Sequence, residues 1–323
     1  MQGGYVWKSI GIACLISCAL PAIAQSTAPV KLLVGFPPGG APDVVGRLYA
    51  DQMRKATAAN VVVENRAGAS GKLALDALLA AAVDGNTLAV IPSAVLALLP
   101  HTLKSAKFSP TSDFVPIASL ADYGFTLATG AGVPKGNLED FVKWVRSNPG
   151  KASYGTPGLG TPQHFLGASF AKTAGIDMAH VPYRGGAQAL TDVLGGRTSS
   201  LITTEPLVVP FHAKRELNAL FVTSAQRNPK MADVPTARES GLAYLEAVDW
   251  FGLFARAGTP DETIRRMQQQ AGSVVALKEY VDAVTELGYR VTQAKPEQLR
   301  AMVERDVGTW GSRVKAAGFT AEE

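Results

Sequence analysis

Between Val30 and Pro92 short apolar runs alternate with amphipathic helical stretches, and few folds accommodate that rhythm. The pattern predicts a strand over 30–36, a helix over 42–56, a strand over Val61–Glu64, a helix over 71–82 and a strand over Thr87–Ile91. The intervening Asn65-Arg66-Ala67-Gly68 and Asp84-Gly85-Asn86 carry turn chemistry. Strands joined through helices run parallel, because each helix returns the chain to the same edge of the sheet. The carboxyl ends of such strands lie together, and ligands bind along that edge. The expected class is therefore α/β, with helices on both faces of a largely parallel sheet.

The sharpest stretch is Lys31–Arg47, KLLVGFPPGGAPDVVGR. Leu32, Leu33 and Val34 form a buried run, and Pro37 and Pro38 end it because neither can donate to a ladder. Gly39 and Gly40 allow close backbone approach, Pro42 suits a first helical turn, and Asp43 favours the positive end of the helix dipole. Val45, Leu48, Tyr49 and Met53 then share one helical face.

Near Pro110 the rhythm changes, with Phe114–Leu120 and Phe125–Thr129 reading as two successive strands. A second alternating block follows: helix 137–147, strand 152–155, helix 162–174, strand 179–181, helix 187–194, strand 200–203, helix 206–213 and strand 217–222. Trp250–Ala255 reads as a further strand, Pro260 opens a long helix, and helices near 278–287 and 296–317 close the chain. At 323 residues the chain is long enough for two domains, alike in style without an internal sequence repeat.

Three loops share one architecture of strand, glycine turn and helix start: Phe36–Asp43, Tyr154–His164 and Val181–Ala187. In the second, Thr161 stands at the N-cap and Pro162 at the first helical position. Each loop alone is also what an ordinary tight turn looks like. Together they predict a cleft lined by helix N-termini, whose free N–H groups and dipoles hold an anion with little formal positive charge.

Enzyme signatures fail on inspection. Gly68-Ala69-Ser70-Gly71-Lys72-Leu73 approaches a phosphate loop, but its spacing is short and Leu73 stands where Ser or Thr is required. In Gly158-Leu159-Gly160 the third dinucleotide glycine is replaced by Gln163. No serine sits in a G-x-S-x-G elbow, and His101, His164, His180 and His212 lack metal-ligand spacing. His164, just inside a helix, and Arg184, beside two glycines, are within reach of a ligand or serve packing and solvation. Phe36, Tyr123, Tyr183 and Trp250 adjoin loops and either wall a pocket or fill core.

Residues 1–24 read as a secretory leader: Lys8 precedes an apolar run, and Ala22-Ile23-Ala24 forms an A-x-A site before Gln25. Acylation at Cys18 is the alternative. Both cysteines, Cys14 and Cys18, fall in this leader, so the exported protein is held by its core without disulfides. Removing it lowers the formal charge from +4 to +3, too small and too dispersed for nucleic acid. No later stretch is long and apolar enough to span a membrane. Expected are export and no cofactor or metal.

The segments VGFPPGGAPDVVGRL, VVVENRAGASG, DGNTLAV, YGTPGLGTPQH, HVPYRGGAQALTDVLGGR, ALFVTSAQRNPKMADVPTARESG and WFGLFARAGTP resemble, in order, the Bug family of periplasmic solute-binding proteins of tripartite tricarboxylate transporters. The resemblance implies a two-domain Venus flytrap of the type II binding-protein class. It would act as a monomeric, non-catalytic receptor that captures a small organic acid for a permease of one large and one small subunit. A sensor feeding a two-component system, or an exported enzyme of similar fold, are the alternatives.

The implied ligand loops comprise Phe36, Gly39, Gly40, Ala41 and Asp43; Ser93 and Ala94; Thr156, Gly160, Thr161 and His164; Arg184, Gly185, Gly186 and Ala187; and Thr203 and Thr204. Three positions depart from the family's pattern: Pro42 replaces Thr, Arg184 replaces Lys, and Thr203 replaces Asp, with Glu205 close enough to compensate. The resemblance implies that the first loop, lacking a donor at Pro42, holds its carboxylate through Gly39, Gly40 and water. It also implies domain one at 29–122 plus 250–323 and domain two at 123–249.

Overall fold

The computed structural model describes residues 29–316 and 319, with residues 1 and 3; the expected leader and both cysteines lie outside the described residues. In chain order the elements are β1 (Val30–Val34), α1 (Ala41–Thr57), β2 (Val61–Asn65), α2 (Lys72–Leu79), β3 (Thr87–Pro92), α3 (Ser93–Thr102), β4 (Phe114–Thr129), α4 (Leu138–Ser147), β5 (Ser153–Thr156), α5 (Pro162–Ala174), β6 (Ala179–Pro182), α6 (Gly186–Leu194), β7 (Ser200–Thr204), α7 (Glu205–Ala213), β8 (Asn218–Val222), β9 (Val248–Arg256), α8 (Asp261–Val275), α9 (Lys278–Glu286) and α10 (Pro296–Ala316).

The strands form two mixed sheets joined through one long member. In the first, the order is β2-β1-β3-β9-β4, with β1 parallel to β2 and β3, and β9 antiparallel to both β3 and β4. In the second, the order is β6-β5-β7-β4-β8, with β5 parallel to β6 and β7, and β4 antiparallel to β7 and β8. Both halves thus repeat one topology, three parallel strands and a reversed one inserted before the last. In each half the inserted strand is one of the two that run between the halves. This is the two-lobed α/β fold expected from the alternation.

Two expectations needed revision. The two strands anticipated over 114–129 are one continuous β4: Phe114–Gly124 pairs with β9 and Phe125–Thr129 with β7, the register slipping after Pro116 and after Ser119. Those bulges bend the strand so that it can serve both sheets. Helix α3 was not anticipated, because Ser93–Thr102 carries no polar face and contains Pro100; eight of its ten residues are buried. A helix apolar all round has no periodic signature.

Helix α1 shows how packing fixes the edge. Val45, Tyr49 and Met53 are at most 8% exposed against the sheet, and burying such side chains contributes about 1.5–3 kcal/mol each. The apolar core runs from Leu32 and Tyr49 through Tyr123 and Phe125 to Phe165, Phe170 and Phe221, so the halves share a core where β4 passes between them.

Beside that passage, Asp122 and Arg290 exchange main-chain hydrogen bonds of 2.7 and 2.9 Å. Asn228 Nδ2 donates to the Gly288 carbonyl at 3.0 Å. The segment after α9 therefore also touches both halves.

Candidate functional site

The parallel strands of both halves point their carboxyl ends at one cleft. Its walls are Phe36, Gly40, Ala41 and Pro42 after β1; Pro92 and Val95 after β3; Pro157, Thr161, Pro162 and Gln163 after β5; Gly186 after β6; and Thr203, Thr204 and Leu207 at the end of β7. Tyr123 of β4 and Asp249 and Phe251 of β9 complete it from the strands between the halves. The space between its walls, counted out into open solvent, is about 460 Å³. Helices α1, α3, α5, α6 and α7 all begin on this cleft, where three such starts were expected. Among the described residues no lysine or arginine lines it.

An anion here would meet main-chain donors, since the first N–H groups of each helix have no partner within the helix. Among the hydroxyls, Thr204 Oγ1 is buried without a hydrogen bond of good geometry, the Tyr289 phenol lying near it. Thr161 Oγ1 is engaged, donating to the Gly158 carbonyl at 2.7 Å. Apolar surface dominates the rest, with Tyr123 stacked on Phe251 at 4.4 Å between ring centres.

Of the expected ligand residues, the cleft gathers Phe36, Gly40, Ala41, Thr161, Gly186, Thr203 and Thr204. The others are placed differently. Asp43 caps its own turn: it accepts from Gly39 N–H at 2.9 Å, Asn65 Nδ2 at 2.8 Å and Arg47 Nε at 3.0 Å. Burial would raise its carboxyl, but these bonds and the Arg47 charge hold it below the usual range. Gly39 N–H and Gly40 N–H are thus spent within the turn, the latter on the Pro37 carbonyl at 3.2 Å, and Ala41 N–H is the next donor facing the cleft.

Ser93 and Ala94 sit behind the wall, their donors taken by Asp306 and Asp249. Glu205 is turned away under Gly124, accepting from Ser224 Oγ at 2.6 Å and Asn228 Nδ2 at 3.0 Å, and burial raises its carboxyl. It does not replace the acid missing at Thr203. Arg184 lies outside, with Gly68–Gly71 and Tyr183 around a neighbouring pocket that shares the walls Phe36 and Pro157. Gly185 and Ala187 flank Gly186 without lining the cleft. Tyr123 adjoins a predicted loop and Gln163 lies in the predicted anion loop Tyr154–His164, whereas Asp249, Phe251, Val95 and Leu207 carry no local sign in the sequence.

Thr156, Gly160 and His164 form a second layer. Thr156 Oγ1 meets His180 Nε2 at 2.7 Å, the His164 and His180 rings stack at 4.0 Å, and Gly160 N–H donates to His164 Nδ1 at 3.4 Å. Burial, then the neighbouring His164, pushes His180 down to about 3, and burial lowers His164 too. Each is held neutral with a folded value below its unfolded one near 6.5, so their contribution is complete above that pH and is lost as pH falls through it. The melting temperature is expected to fall by about 2–4 °C between pH 7 and pH 5, and by less in His180→Gln. An identical pH profile in the variant would remove His180 from the cause.

A hydrogen bond crosses the cleft: Ser70 Oγ donates to the Leu159 carbonyl at 2.7 Å. Ser70 and Ala69 both hold positive φ, 54° and 45°, in the one-turn helix before α2. Strain of this kind gathers where a structure is poised for contact.

Comparison with known proteins agrees with this geometry. Residues 45–319 match the family described as tripartite tricarboxylate transporter family receptor. A Pseudomonas protein from the tcbD-tcbE intergenic region is 32% identical, the match covering 87% of this chain and 84% of the relative. The periplasmic binding protein BugD superposes with a TM-score of 0.86 at 28% identity, over 91% of this chain and 99% of its own. An R. palustris protein solved with adipate gives 0.86 at 26% identity, over 91% and 98%. With a shared fold, a cleft at the shared edge and a match along most of its length, the chain belongs to the receptor family of the tripartite tricarboxylate transporters.

Proposed function

We propose that the protein is a periplasmic receptor that closes two lobes, residues 29–122 plus 250–323 and residues 123–249, over one small carboxylate. The observation that carries this reading is the convergence of the α1, α5, α6 and α7 starts on a single cleft that, among the described residues, no basic side chain lines. Such a site suits an anion that must be bound and released, because dipoles and N–H groups neutralise it without a fixed counter-charge. The adipate found in a structural relative supports the ligand class. Ala41, Thr161, Gln163, Gly186, Thr203 and Thr204 are assigned to the ligand, with Phe36, Tyr123 and Phe251 against its body.

The closed form is the state a two-subunit permease would read, since ligand contacts to both lobes are what favour it. The receptor is read as a non-catalytic monomer with a leader cleaved after Ala24.

The test is thermal shift against adipate, malate, citrate, glutamate and benzoate, beside sugars and cations. At a hundredfold excess over Kd a ligand adds about 2.7 kcal/mol, a clear rise in melting temperature. Stabilisation by a sugar or cation and by no acid would overturn the reading.

A further inference from the structure

A cleft built for an anion also holds a buried acid. Asp249 is 3% exposed and lies on the cleft wall. Its Oδ1 accepts from Ala94 N–H at 3.0 Å and Trp250 N–H at 2.7 Å, and its Oδ2 accepts from the Tyr123 hydroxyl at 2.8 Å. Among the described residues no lysine, arginine or histidine bonds to it.

Titratable groups face it from α10 and β4. From α10 comes Asp306, which accepts from Ser93 Oγ at 2.7 Å and Trp250 Nε1 at 2.9 Å and pairs with Arg305 at 3.0 Å. From β4 comes Tyr123, with Tyr289 edge-on beyond it at 6.3 Å; both are phenols that burial keeps neutral. From α3 come only Ser93 and main-chain N–H groups. The start of α3 is therefore occupied by the chain's own carboxylates, and the ligand's carboxylate is left to α1, α5, α6 and α7. Beside Asp249 the wall is Tyr123 and Phe251, apolar faces without a donor to spare for a second carboxylate.

We propose that Asp249 sets the charge and shape of the ligand: the cleft takes an acid with one ionised carboxylate and an apolar or aromatic body laid against Tyr123 and Phe251, and Asp249 takes up one proton from solvent as that anion binds. This rests on the carboxylate reading above. The physical cause is like-charge repulsion in a site emptied of water: an incoming anion favours the neutral form of the acid beside it. Burial, then Asp306, already pushes the Asp249 carboxyl up to about 7, so the proton is available at neutral pH. A dicarboxylate reaching this wall would place its second charge against Asp249.

The experiment is calorimetry at pH 7.5 in phosphate and in Tris, with benzoate and adipate as probes. Benzoate is expected to bind more tightly than adipate and to take up close to one proton per site, and its affinity to fall about tenfold per pH unit above the Asp249 value. Asp249→Asn keeps the acceptor for both N–H groups and offers an amide to Tyr123. It should bind benzoate without proton uptake or pH dependence, and discriminate about tenfold less against adipate. Tyr123→Phe, which removes the donor to Oδ2, should move the pH at which affinity begins to fall upward, a second readout independent of Asp249→Asn folding. Benzoate binding with no proton uptake in the wild-type protein, or adipate binding more tightly than benzoate, overturns the proposal and leaves the carboxylate reading standing. If no acid binds at all, both fall.

Discussion

Replacing Gly160 with leucine is expected to weaken binding of the cleft's acid about a hundredfold while leaving the fold in place. Gly160 sits at φ +68° in the loop that precedes α5, and a Cβ there would lie 2.8 Å from Thr102 Cβ and Oγ1. Thr102 ends α3 on the other side of the cleft. Opening of the proposed lobes would relieve that clash, so the cost would fall on the closed state. Shifting the open–closed balance by about 2.7 kcal/mol reduces apparent affinity by that factor of a hundred. Backbone strain of about 1–2 kcal/mol comes with any side chain in this conformation. Gly175 provides the control: its φ is +60° and nothing lies within 4 Å of its Cβ position, so Gly175→Leu carries the strain without the contact. Calorimetry should find the control near wild-type affinity and Gly160→Leu far below it. Equal affinities in the two variants would show that the loops do not approach each other in the bound state.

The second large effect concerns stability. Gly124 lies where β4 leaves one sheet for the other, and a Cβ on it would stand 2.0 Å from Glu205 Oε1 and 2.9 Å from Ser224 N. Its φ is not in the left-handed region, so alanine meets no backbone penalty and the whole cost is steric. Glu205 cannot step aside cheaply, since its oxygens satisfy Ser224 and Asn228 in a buried setting. Gly124→Ala is expected to lose about 3 kcal/mol or more in urea unfolding. Glu205→Ala costs stability too, but the double variant should lose less than the sum, because the clash is shared. A loss below about 1 kcal/mol in the single variant would mean the acid has room to move.

The legible part of this chain was what repeats locally. Alternating patterns and proline–glycine punctuation placed α1, α5 and α6 and their loops, since a strand end, a glycine turn and a helix start, with a first-turn proline in α1 and α5, are written within about ten residues of one another. The cleft's other walls are set by long-range pairing. Tyr123 and Asp249 meet only because β4 and β9 pair, with Tyr123 opposite Asp249 in the register. The donors of Ser93 and Ala94 are consumed by acids distant in the chain, which no local pattern announces. Helix α3 hides because it is apolar on all sides, and the direction taken by Glu205 depends on the absent side chain of Gly124.

The passage between the lobes has a mechanical consequence. A pair of independent linkers can twist, slide or swing, but β4 and β9 are bonded to each other from Phe114 against Arg256 to Gly124 against Val248. A ribbon of that kind flexes across its face far more readily than it shears along its length, so it behaves as a leaf spring with one soft direction. If the lobes close as proposed, each stroke would follow the same arc and return Ser70 to Leu159 in the same alignment. The precision with which the jaws meet is stored in the strands behind them, and a variant that loosens this ribbon would blunt selectivity among acids without touching a single residue that contacts one.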